Sequence, residues 1–222
     1  MTVEKNPKKI KDMFDDISIY YDDMNNFISI GTHLIIKYLS LKELNIHPRS
    51  MILDLCCGTG DFTAIISKFF PRAKVIGLDF SEKMLKMAKS KNPNGVFVKG
   101  DCINLPFHDE EFDYVTIGFG LRNIEHRDKA IRESYRVLKK GGKFLHLDFG
   151  VQNFVSKMFD FIVLTCVKIL QKDVNHYKYL LESKKQYPIP ELLIKEFEAS
   201  GYKCIKKCDY LFGVISAQVM QK

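Results

Sequence analysis

The middle of the chain alternates short apolar runs with segments of helical spacing. Five apolar runs have the character of strands, namely Met51–Leu55, Lys74–Leu78, Gly95–Val98, Tyr114–Ile117 and Lys143–Phe149. Between them, Phe62–Phe70 and Lys129–Lys139 have helical spacing, and Gly141-Gly142 predicts the end of the second helix. This alternation predicts a parallel sheet with helices on both faces. Because ligands bind beyond the carboxyl ends of such strands, the residues that follow each run are the candidates for a site.

The segment before this alternation is helical in character. Apolar residues recur at helical spacing through residues 8–45, and His47-Pro48 ends the pattern. We therefore expect an N-terminal helical cap over residues 1–48 and a main domain over residues 49–222.

The segment after the alternation predicts further helices and a hairpin. Residues 151–181 are helical in character, and we expect residues 151–190 to form an insertion on the substrate side of the domain. Residues 190–200 form an amphipathic pattern. The last two strands are Tyr202–Leu211 and Val214–Met220, which the turn residues between them join as an antiparallel hairpin.

Composition narrows the class of protein. The 222 residues, of which 46% are hydrophobic, suffice for one substantial core. The formal charge of +7 is typical of a lysine-rich solvated surface, or of a surface that meets an anionic membrane or nucleic acid. The six cysteines have neither disulfide-framework nor zinc-site spacing, and no apolar signal segment opens the chain. We expect a cytoplasmic protein without a metal.

The first strand runs into a glycine turn. Gly58 and Gly60 let the backbone turn tightly and let a ligand approach closely. Thr63 stands where a dinucleotide-binding turn has its third glycine, and Asp54 precedes the turn. A carboxylate serves a pyrophosphate poorly but favours a cationic group. This turn therefore points to S-adenosylmethionine, a sulfonium cofactor with a cationic amino-acid end.

Carboxylates also follow the second and third strands. Asp79 lies 19 residues after Gly60, and a carboxylate there can accept hydrogen bonds from both ribose hydroxyls. Asp101 can accept a hydrogen bond from an adenine amino group, and Cys102 offers its backbone N–H to the ring. Ser81 is the expected N-cap of the next helix. Three acidic residues at three consecutive strand ends favour a nucleotide-like ligand over three unrelated turns.

The fourth strand is followed by Gly118-Phe119-Gly120-Leu121-Arg122-Asn123. Its glycines permit close packing against the cofactor, and Arg122 and Asn123 then face the cleft where a methyl group is delivered. Arg122 can hold a phenolate or a water molecule. The alternative is a surface ion pair with Glu125 or Asp128.

The sequence as a whole resembles a known family. The chain is similar to the demethylmenaquinone/2-polyprenyl-6-methoxybenzoquinol methyltransferases, which are quinone C-methylases. The resemblance runs from about Met13 to the C-terminus and is carried by MFDDISIYYDDMNNFISIGTH, LDLCCGTGDFT, LDFSEKML, LPFHDEEFD, FGLRNIEHRDKAIRESYRVLKKGGKFLHLDF and YKYLLESKKQYP. It implies an α/β class I S-adenosylmethionine-dependent methyltransferase fold, Rossmann-like, with a mainly parallel seven-stranded sheet, a C-terminal antiparallel hairpin and an N-terminal helical cap.

The resemblance also implies roles for individual residues. Contact with the cofactor is implied for Thr59, Asp79, Asp101, Cys102 and Gly118. We also expect Phe80, next to Asp79, and the turn residues Asp54, Gly58 and Gly60 to bind the cofactor. A catalytic cleft is implied for Arg122 and Asn123, and a lid over both ligands for Tyr21 and His33. The candidate bases are His33, His146, Tyr21 and Asp148.

The chain departs from the family pattern in two places. Gly150-Val151-Gln152 stands where the family commonly has Lys-Pro, and the helical segment before Tyr177 is about ten residues shorter. Both departures concern the site of the prenyl tail. Phe154–Leu170 is apolar nearly all round, which predicts a wall of the tail tunnel or a contact with the bilayer, or else a buried structural helix.

We expect C-methylation of a prenylated quinol. Demethylmenaquinol is the preferred candidate substrate, because the chain lacks a mitochondrial targeting extension. The alternatives are 2-polyprenyl-6-methoxy-1,4-benzoquinol in ubiquinone biosynthesis, or another small-molecule or RNA substrate. We expect no nucleic-acid partner, since no arginine-rich patch with interleaved aromatics is present. We also expect transient contact with the inner face of a membrane and a homodimer. Two hypotheses from other classes of protein remain: an NAD-dependent dehydrogenase, and a noncatalytic quinone-binding protein.

Overall fold

The computed structural model describes residues 5–169 and 174–222. The helices of these residues are α1 (Pro7–Ile17), α2 (Tyr21–Ser29), α3 (Thr32–Lys42), α4 (Asp61–Phe69), α5 (Glu82–Lys91), α6 (Arg127–Val137), α7 (Phe154–Ile169), α8 (Val174–Lys185) and α9 (Pro190–Ala199). The strands are β1 (Met51–Leu55), β2 (Lys74–Asp79), β3 (Val96–Lys99), β4 (Phe112–Gly118), β5 (Leu138–Phe149), β6 (Lys203–Tyr210) and β7 (Ile215–Gln221). Leu170, where the predicted apolar helix ends, lies outside the described residues.

The strands form one sheet in the order β3-β2-β1-β4-β5-β7-β6. The pairs among β1 to β5 are parallel, whereas β7 is antiparallel to both of its neighbours. The predicted parallel sheet, with its C-terminal antiparallel hairpin, is confirmed.

Two apolar layers cover the sheet, one on each face. In β1, Leu53 and Leu55 point into one layer and Ile52 into the other, because successive side chains of a strand alternate. All three are fully buried. Burial on both faces explains why apolar side chains of this strand point to both faces, with Asp54 as its one acidic residue.

The predicted end of the helix that follows β4 is wrong. Helix α6 ends at Val137, and Leu138 is already extended and pairs with Phe112 of β4. Leu138 is fully buried, so its apolar side chain belongs to the sheet and does not continue a helix. Gly141, at φ +74°, turns the chain within β5 and does not end α6.

Helix α5 begins as predicted. The Ser81 Oγ accepts a hydrogen bond of 3.1 Å from the backbone N–H of Met84, which is the N-cap interaction. The same hydroxyl donates to Asp15 of α1. The cap of α5 therefore also fixes α1 against the sheet domain.

The departure at Gly150 has a structural reason. Gly150 and Val151 donate backbone hydrogen bonds to Val214 and Gly213, so the chain leaves β5 pressed against the tip of the hairpin. A Cβ at Gly150 would lie 2.3 Å from the Gly213 carbonyl oxygen. A larger residue at this position would push the hairpin tip away.

Helices α1 and α2 lie at the carboxyl ends of the strands, and α3 lies against one face of the sheet. Helix α1 packs on α5, α2 packs on α7, and α3 packs on α4 and β5. The division into a cap and a main domain stays a prediction. Among residues 5–169 and 174–222, no helix has both the length and the apolar content that crossing a bilayer requires.

Candidate functional site

Two cavities meet at the carboxyl ends of the strands. The first cavity, of about 900 Å³, is lined by residues that include Gly58, Asp79, Phe80, Asp101, Cys102, Gly118 and Asn123. The second cavity, of about 950 Å³, is lined by residues that include His33, Lys37, Arg122, Phe149, Phe159 and Leu180. Tyr21 and Phe119 line both cavities. The fold therefore brings most of the sequence-predicted residues to one place.

Asp79 joins the turns that follow β1 and β2. One carboxylate oxygen accepts from the Gly58 N–H at 2.9 Å and the other from the Ser81 N–H at 2.9 Å. Burial raises the pKa of Asp79, although these backbone hydrogen bonds oppose the rise. Each oxygen keeps a further lone pair, so the carboxylate can still accept from two vicinal hydroxyls in the first cavity.

Part of the lining of the first cavity suits a flat ring with apolar faces. Leu78, Met84 and Ile103 contribute apolar walls, with Asp101 and Cys102 beside them. The Asp101 carboxylate accepts from the Ile103 N–H at 3.1 Å and is exposed, so it retains acceptor capacity. This combination fits an adenine, whose faces are apolar and whose edge carries an amino group.

The turn after β4 places an aromatic ring between the cavities. A Cβ at Gly118 would lie 2.5 Å from the Phe62 ring, so this position requires glycine. Phe119 has φ +58°, a strained backbone conformation for an aromatic residue. Strain of this kind is retained where the surrounding structure needs the side chain in one place. Here it holds the Phe119 ring in the wall that the two cavities share.

Three of the predicted cofactor residues lie behind the cavity wall. Asp54 is buried under the glycine turn, where one carboxylate oxygen accepts from the Thr116 hydroxyl at 2.8 Å. The Thr59 hydroxyl donates to Asp22 of α2 at 2.6 Å. Gly60, at φ +83°, is the N-cap of α4, and a Cβ there would lie 2.9 Å from the Thr63 hydroxyl oxygen. Their contact with the cofactor stays a prediction.

Asp54 makes the stability of the protein depend on pH. Burial raises the pKa of Asp54 to about 7 from its usual 3.8. A folded-state pKa above the unfolded value means that ionisation opposes folding, so the Asp54 contribution to stability falls from about pH 4 to pH 7. In the absence of cofactor, the wild type should therefore lose free energy of unfolding relative to the D54N variant as the pH rises. The relative loss between about pH 4 and pH 7 should reach up to about 4 kcal/mol.

Urea denaturation of both proteins at pH 4.5 and pH 8 measures this difference. The exposed Asp128, which pairs with Arg132 at the surface, provides the matched control D128N. A gap between D54N and wild type that is the same at both pH values would contradict a raised pKa of Asp54.

A buried ion cluster ties the N-terminal helices to the glycine turn. Asp61, which opens α4, accepts from Lys37 of α3 and from Lys91 of α5 at 2.7 Å each. Lys91 also pairs with Asp22 of α2 at 2.6 Å. The two lysines hold the pKa of Asp61 well below its usual range despite its burial. Sequence reasoning missed this cluster, because its members come from four separate helices.

Arg122 is buried and not at the surface. It is 5% exposed, and it donates to the Asp148 carboxylate at 2.9 Å and to the Phe119 carbonyl. Its guanidinium carbon lies 5.2 Å from the centre of the Phe149 ring. The alternative of a surface ion pair with Glu125 or Asp128 is therefore wrong. Asp148 was expected only as a base, and the register of β5 places it beside Arg122.

Several buried polar atoms around Arg122 lack a partner among the described residues. They are Arg122 Nε, Asp148 Oδ2, both side-chain polar atoms of Asn123, and the Tyr179 hydroxyl. Helix α8, which carries Tyr179, packs on the short 3-10 helix Leu121–Asn123. Buried polar groups are nearly always hydrogen-bonded, so this cluster indicates a polar ligand group. The sequence stretch YKYLLES was the one signal for Tyr179.

His146 is fully engaged and cannot act as a base. Its Nδ1 contacts the Gln218 Oε1, which only accepts, so Nδ1 carries the proton. Its Nε2 accepts from the Tyr187 hydroxyl at 3.0 Å. Burial lowers the pKa of His146, which keeps the ring neutral. This arrangement removes His146 from the predicted bases and gives it a structural role between β5, β7 and Tyr187.

No group of three or more His, Cys, Asp or Glu side chains suited to a metal ion occurs among the described residues. The prediction of a metal-free site stays a prediction.

Comparison with known proteins agrees with the predicted family and fold. The model of the ubiE/COQ5 methyltransferase family matches residues 1–222. The demethylmenaquinone methyltransferase of Geobacillus stearothermophilus is 36% identical over 97% of both chains. That of Staphylococcus carnosus is 38% identical over 97% of this chain and 93% of its own.

Among solved structures, a SAM-dependent methyltransferase of Thermotoga maritima has a TM-score of 0.72 at 20% identity and covers 95% of this chain and 98% of its own. This likeness confirms the predicted class I Rossmann-like fold. With its sequence matched over its full length, the chain belongs to the ubiE/COQ5 methyltransferase family and is an S-adenosylmethionine-dependent methyltransferase.

Proposed function

We propose that the protein transfers a methyl group from S-adenosylmethionine to a ring carbon of demethylmenaquinol, in menaquinone biosynthesis. The observation that carries this proposal is the junction of the two cavities at Tyr21 and Phe119. One cavity fits a nucleoside and the other combines a buried cation with apolar walls. The names of the curated relatives support the naphthoquinol.

In this proposal the first cavity holds the cofactor. Asp79 accepts hydrogen bonds from the ribose hydroxyls, and Asp101 and Cys102 bind the adenine. Phe80 lies against the nucleoside, and Gly118 leaves room for the cofactor to approach closely. The glycine turn of Gly58, Thr59 and Gly60, with Asp54 beneath it, faces the amino-acid end. Bound S-adenosylmethionine supplies an electrophilic methyl group.

The second cavity holds the quinol ring beside Arg122. The guanidinium stabilises negative charge on the phenolic oxygen, and Asp148 fixes its orientation through their hydrogen bond. Asn123 and the Tyr179 hydroxyl are buried beside it with free hydrogen-bonding capacity. These groups orient the ring so that the carbon ortho to the phenolate faces the first cavity, next to Tyr21.

The reaction then needs positioning, a stabilised phenolate and one proton acceptor. The phenolic O–H loses its proton and the electron pair stays on oxygen. That charge, delocalised to the ortho carbon, forms the new carbon–carbon bond while the methyl–sulfur pair goes to sulfur. The ring carbon then loses its hydrogen as the oxygen regains one, so one proton is released overall. Tyr21, His33 and Asp148 are the residues near this step.

The prenyl tail occupies the apolar part of the second cavity. Its walls include Ile28, Phe159, Val163, Leu180 and Ile215. Helix α7 presents Val163 to this cavity and leaves Phe154 and Phe161 80% and 72% exposed on its outer face. A fully buried structural helix, one of the alternatives from the sequence, is therefore wrong. The same helix serves the tail on one face and is open on the other.

We propose that this outer face rests on the membrane from which the quinol is drawn. Phe161 of α7 and Phe212 of the hairpin are 72% and 87% exposed, and Lys157 lies exposed on the same helix. In this account the protein works in the cytoplasm at the inner face of the membrane. It needs no nucleic acid, and the homodimer stays a prediction.

Replacing Phe161 and Phe212 together with Ser should weaken binding to phosphatidylglycerol vesicles at least about tenfold, since each buried Phe contributes about 1.5–3 kcal/mol. Co-sedimentation measures the binding. Val96, exposed at the far edge of the sheet on β3, provides the control V96S. Equal binding of the double variant and V96S would contradict the proposed membrane face.

The proposed function is tested by assaying the purified protein with labelled S-adenosylmethionine and reduced quinols. We expect turnover of demethylmenaquinol, with a kcat/KM above that for 2-polyprenyl-6-methoxy-1,4-benzoquinol. A preference for the benzoquinol would move the function to ubiquinone biosynthesis. No turnover of either quinol, in a protein that binds S-adenosylhomocysteine, would overturn the proposal.

A further inference from the structure

His33 stands in the wall between the second cavity and a third one. The third cavity, of about 1070 Å³, opens beside α2, α3 and α4 and is lined by residues that include Asp22, Tyr38, Asp61, Lys68 and Lys91. His33 lines both cavities, and its side chain is 13% exposed. One ring therefore separates the proposed quinol site from a charged outer cavity.

The hydrogen bonds of Ser29 fix which nitrogen of His33 carries the proton. The Ser29 hydroxyl donates to the Asn25 carbonyl at 2.6 Å, and a carbonyl can only accept. The same oxygen lies 2.6 Å from His33 Nδ1. Because the single hydroxyl proton is already used, Nδ1–H must be the donor of this second bond. The neutral ring therefore carries its lone pair on Nε2.

The charges around Nε2 suit a group that gains and loses a proton. Nε2 lies 3.7 Å from an Asp61 carboxylate oxygen, too far for a hydrogen bond but close enough to stabilise an imidazolium. Lys37 of α3 and Lys91 of α5 oppose that charge, and Asp22 of α2 favours it. Burial and Lys37 lower the pKa of His33, so the ring is neutral near pH 7 and its free nitrogen can accept a proton.

The competing groups are less suited to take the proton. Asp148 neutralises the buried Arg122, and protonating its carboxylate would leave that cation without its partner. Tyr21 is a phenol, itself a proton donor in its neutral form. His146 has both nitrogens engaged.

We infer that His33 Nε2 is the base that takes the phenolic proton of the quinol, an inference that rests on the proposed function. Ser29 is then the positioning residue that holds the ring in the required tautomer. The O–H bond of the quinol breaks, its electron pair stays on oxygen, and the proton bonds to the Nε2 lone pair. The imidazolium then passes that proton to water in the third cavity, past Asp61. One proton leaves in each turnover, which matches the balance of the methyl transfer.

The tautomer is testable without any substrate. Nitrogen-15 NMR of histidine-labelled protein near pH 7.5, with His33 assigned through the H33N variant, should show a neutral ring protonated on Nδ1. In the S29A variant the His33 signals should lose this single tautomer. A wild-type ring protonated on Nε2 would overturn the inference, whatever the outcome of the quinol assay.

Kinetics test the base itself. In the wild type, kcat should rise with pH as His33 loses its proton, which gives a rising limb in the plot of kcat against pH. In H33N, kcat should fall at least about 100-fold and this limb should be absent. S29A should lower kcat about tenfold and shift the limb to lower pH, because Ser29 Oγ accepts more strongly from the imidazolium than from the neutral ring. S29T, which keeps the hydroxyl, should restore both values.

The control for these variants is S90A. Ser90 makes the same type of hydroxyl-to-carbonyl bond four residues back, on the exposed face of α5. Binding of S-adenosylhomocysteine by H33N and S29A, at wild-type affinity, shows that each variant is folded. If H33N keeps the wild-type limb, His33 is not the base. If S29A matches S90A in kcat and in limb position, Ser29 has no positioning role.

Discussion

Replacing Arg122 with Ala is expected to lower kcat about 100- to 1,000-fold, the range typical of removing one preorganised donor to a developing oxyanion. The affinity for S-adenosylhomocysteine should change only a few-fold, since Arg122 lines the second cavity and not the first. The substitution also leaves Asp148 buried without its partner, so the free energy of unfolding should fall by about 3–5 kcal/mol.

Because R122A changes both folding and turnover, a second variant is needed to separate them. The double variant R122A/D148N removes the unpaired buried charge, so its free energy of unfolding should recover most of the loss. Its kcat should stay low, since the phenolate still lacks its cation. Steady-state kinetics and urea denaturation on the three proteins measure both quantities. Recovery of kcat in the double variant would show that Arg122 only stabilises the fold.

Replacing Asp79 with Asn should weaken binding of S-adenosylhomocysteine by about 100-fold or more, because two hydrogen bonds to a charged acceptor contribute about 1.5–3 kcal/mol each. The amide also presents an NH2 group where the carboxylate accepts from the Gly58 or Ser81 N–H. The glycine turn then loses the contact that joins it to β2. Calorimetric titration measures the affinity.

The control for D79N is D128N, whose carboxylate lies exposed on α6. We expect D128N to bind S-adenosylhomocysteine at wild-type affinity. An affinity of folded D79N within threefold of the wild type would contradict the placement of the ribose at Asp79.

Much of the sheet was predictable, because its signals are local. The runs from Met51 to Leu55 and from Lys143 to Phe149 are apolar, and both lie within strands. The N-cap at Ser81 was equally local, since hydroxyl and backbone donor are three residues apart. The start of β5 was not predictable from local signals, because Leu138 pairs in the sheet with Phe112, which lies 26 residues earlier in the chain.

The candidate site was predictable at its strand ends and less so where it depends on long-range partners. Asp79 and Gly118 follow apolar runs, and both line the first cavity. The partner of Arg122 was missed because Asp148 is one of many acidic residues, and only the pairing of β4 with β5 sets it beside the turn. Ser29 has no sequence signal, since its importance lies in a hydroxyl proton already donated elsewhere.

The N-terminal helices do more than cover the site. Asp22 bonds the Thr59 hydroxyl within the glycine turn, and Asp15 bonds Ser81 beside Asp79. Both contacts join these helices to the turns that frame the first cavity. The described conformation is therefore one in which α1 and α2 are held against the proposed cofactor site.

The most direct test of the account follows a carbon-13 methyl group from S-adenosylmethionine to its acceptor. With demethylmenaquinol and the purified protein, NMR of the product should show the labelled methyl on the ring carbon ortho to the phenolic oxygen, and the oxidised quinone should give no product. A label found on oxygen, or equal transfer to the quinone, would contradict methylation through a stabilised phenolate at Arg122.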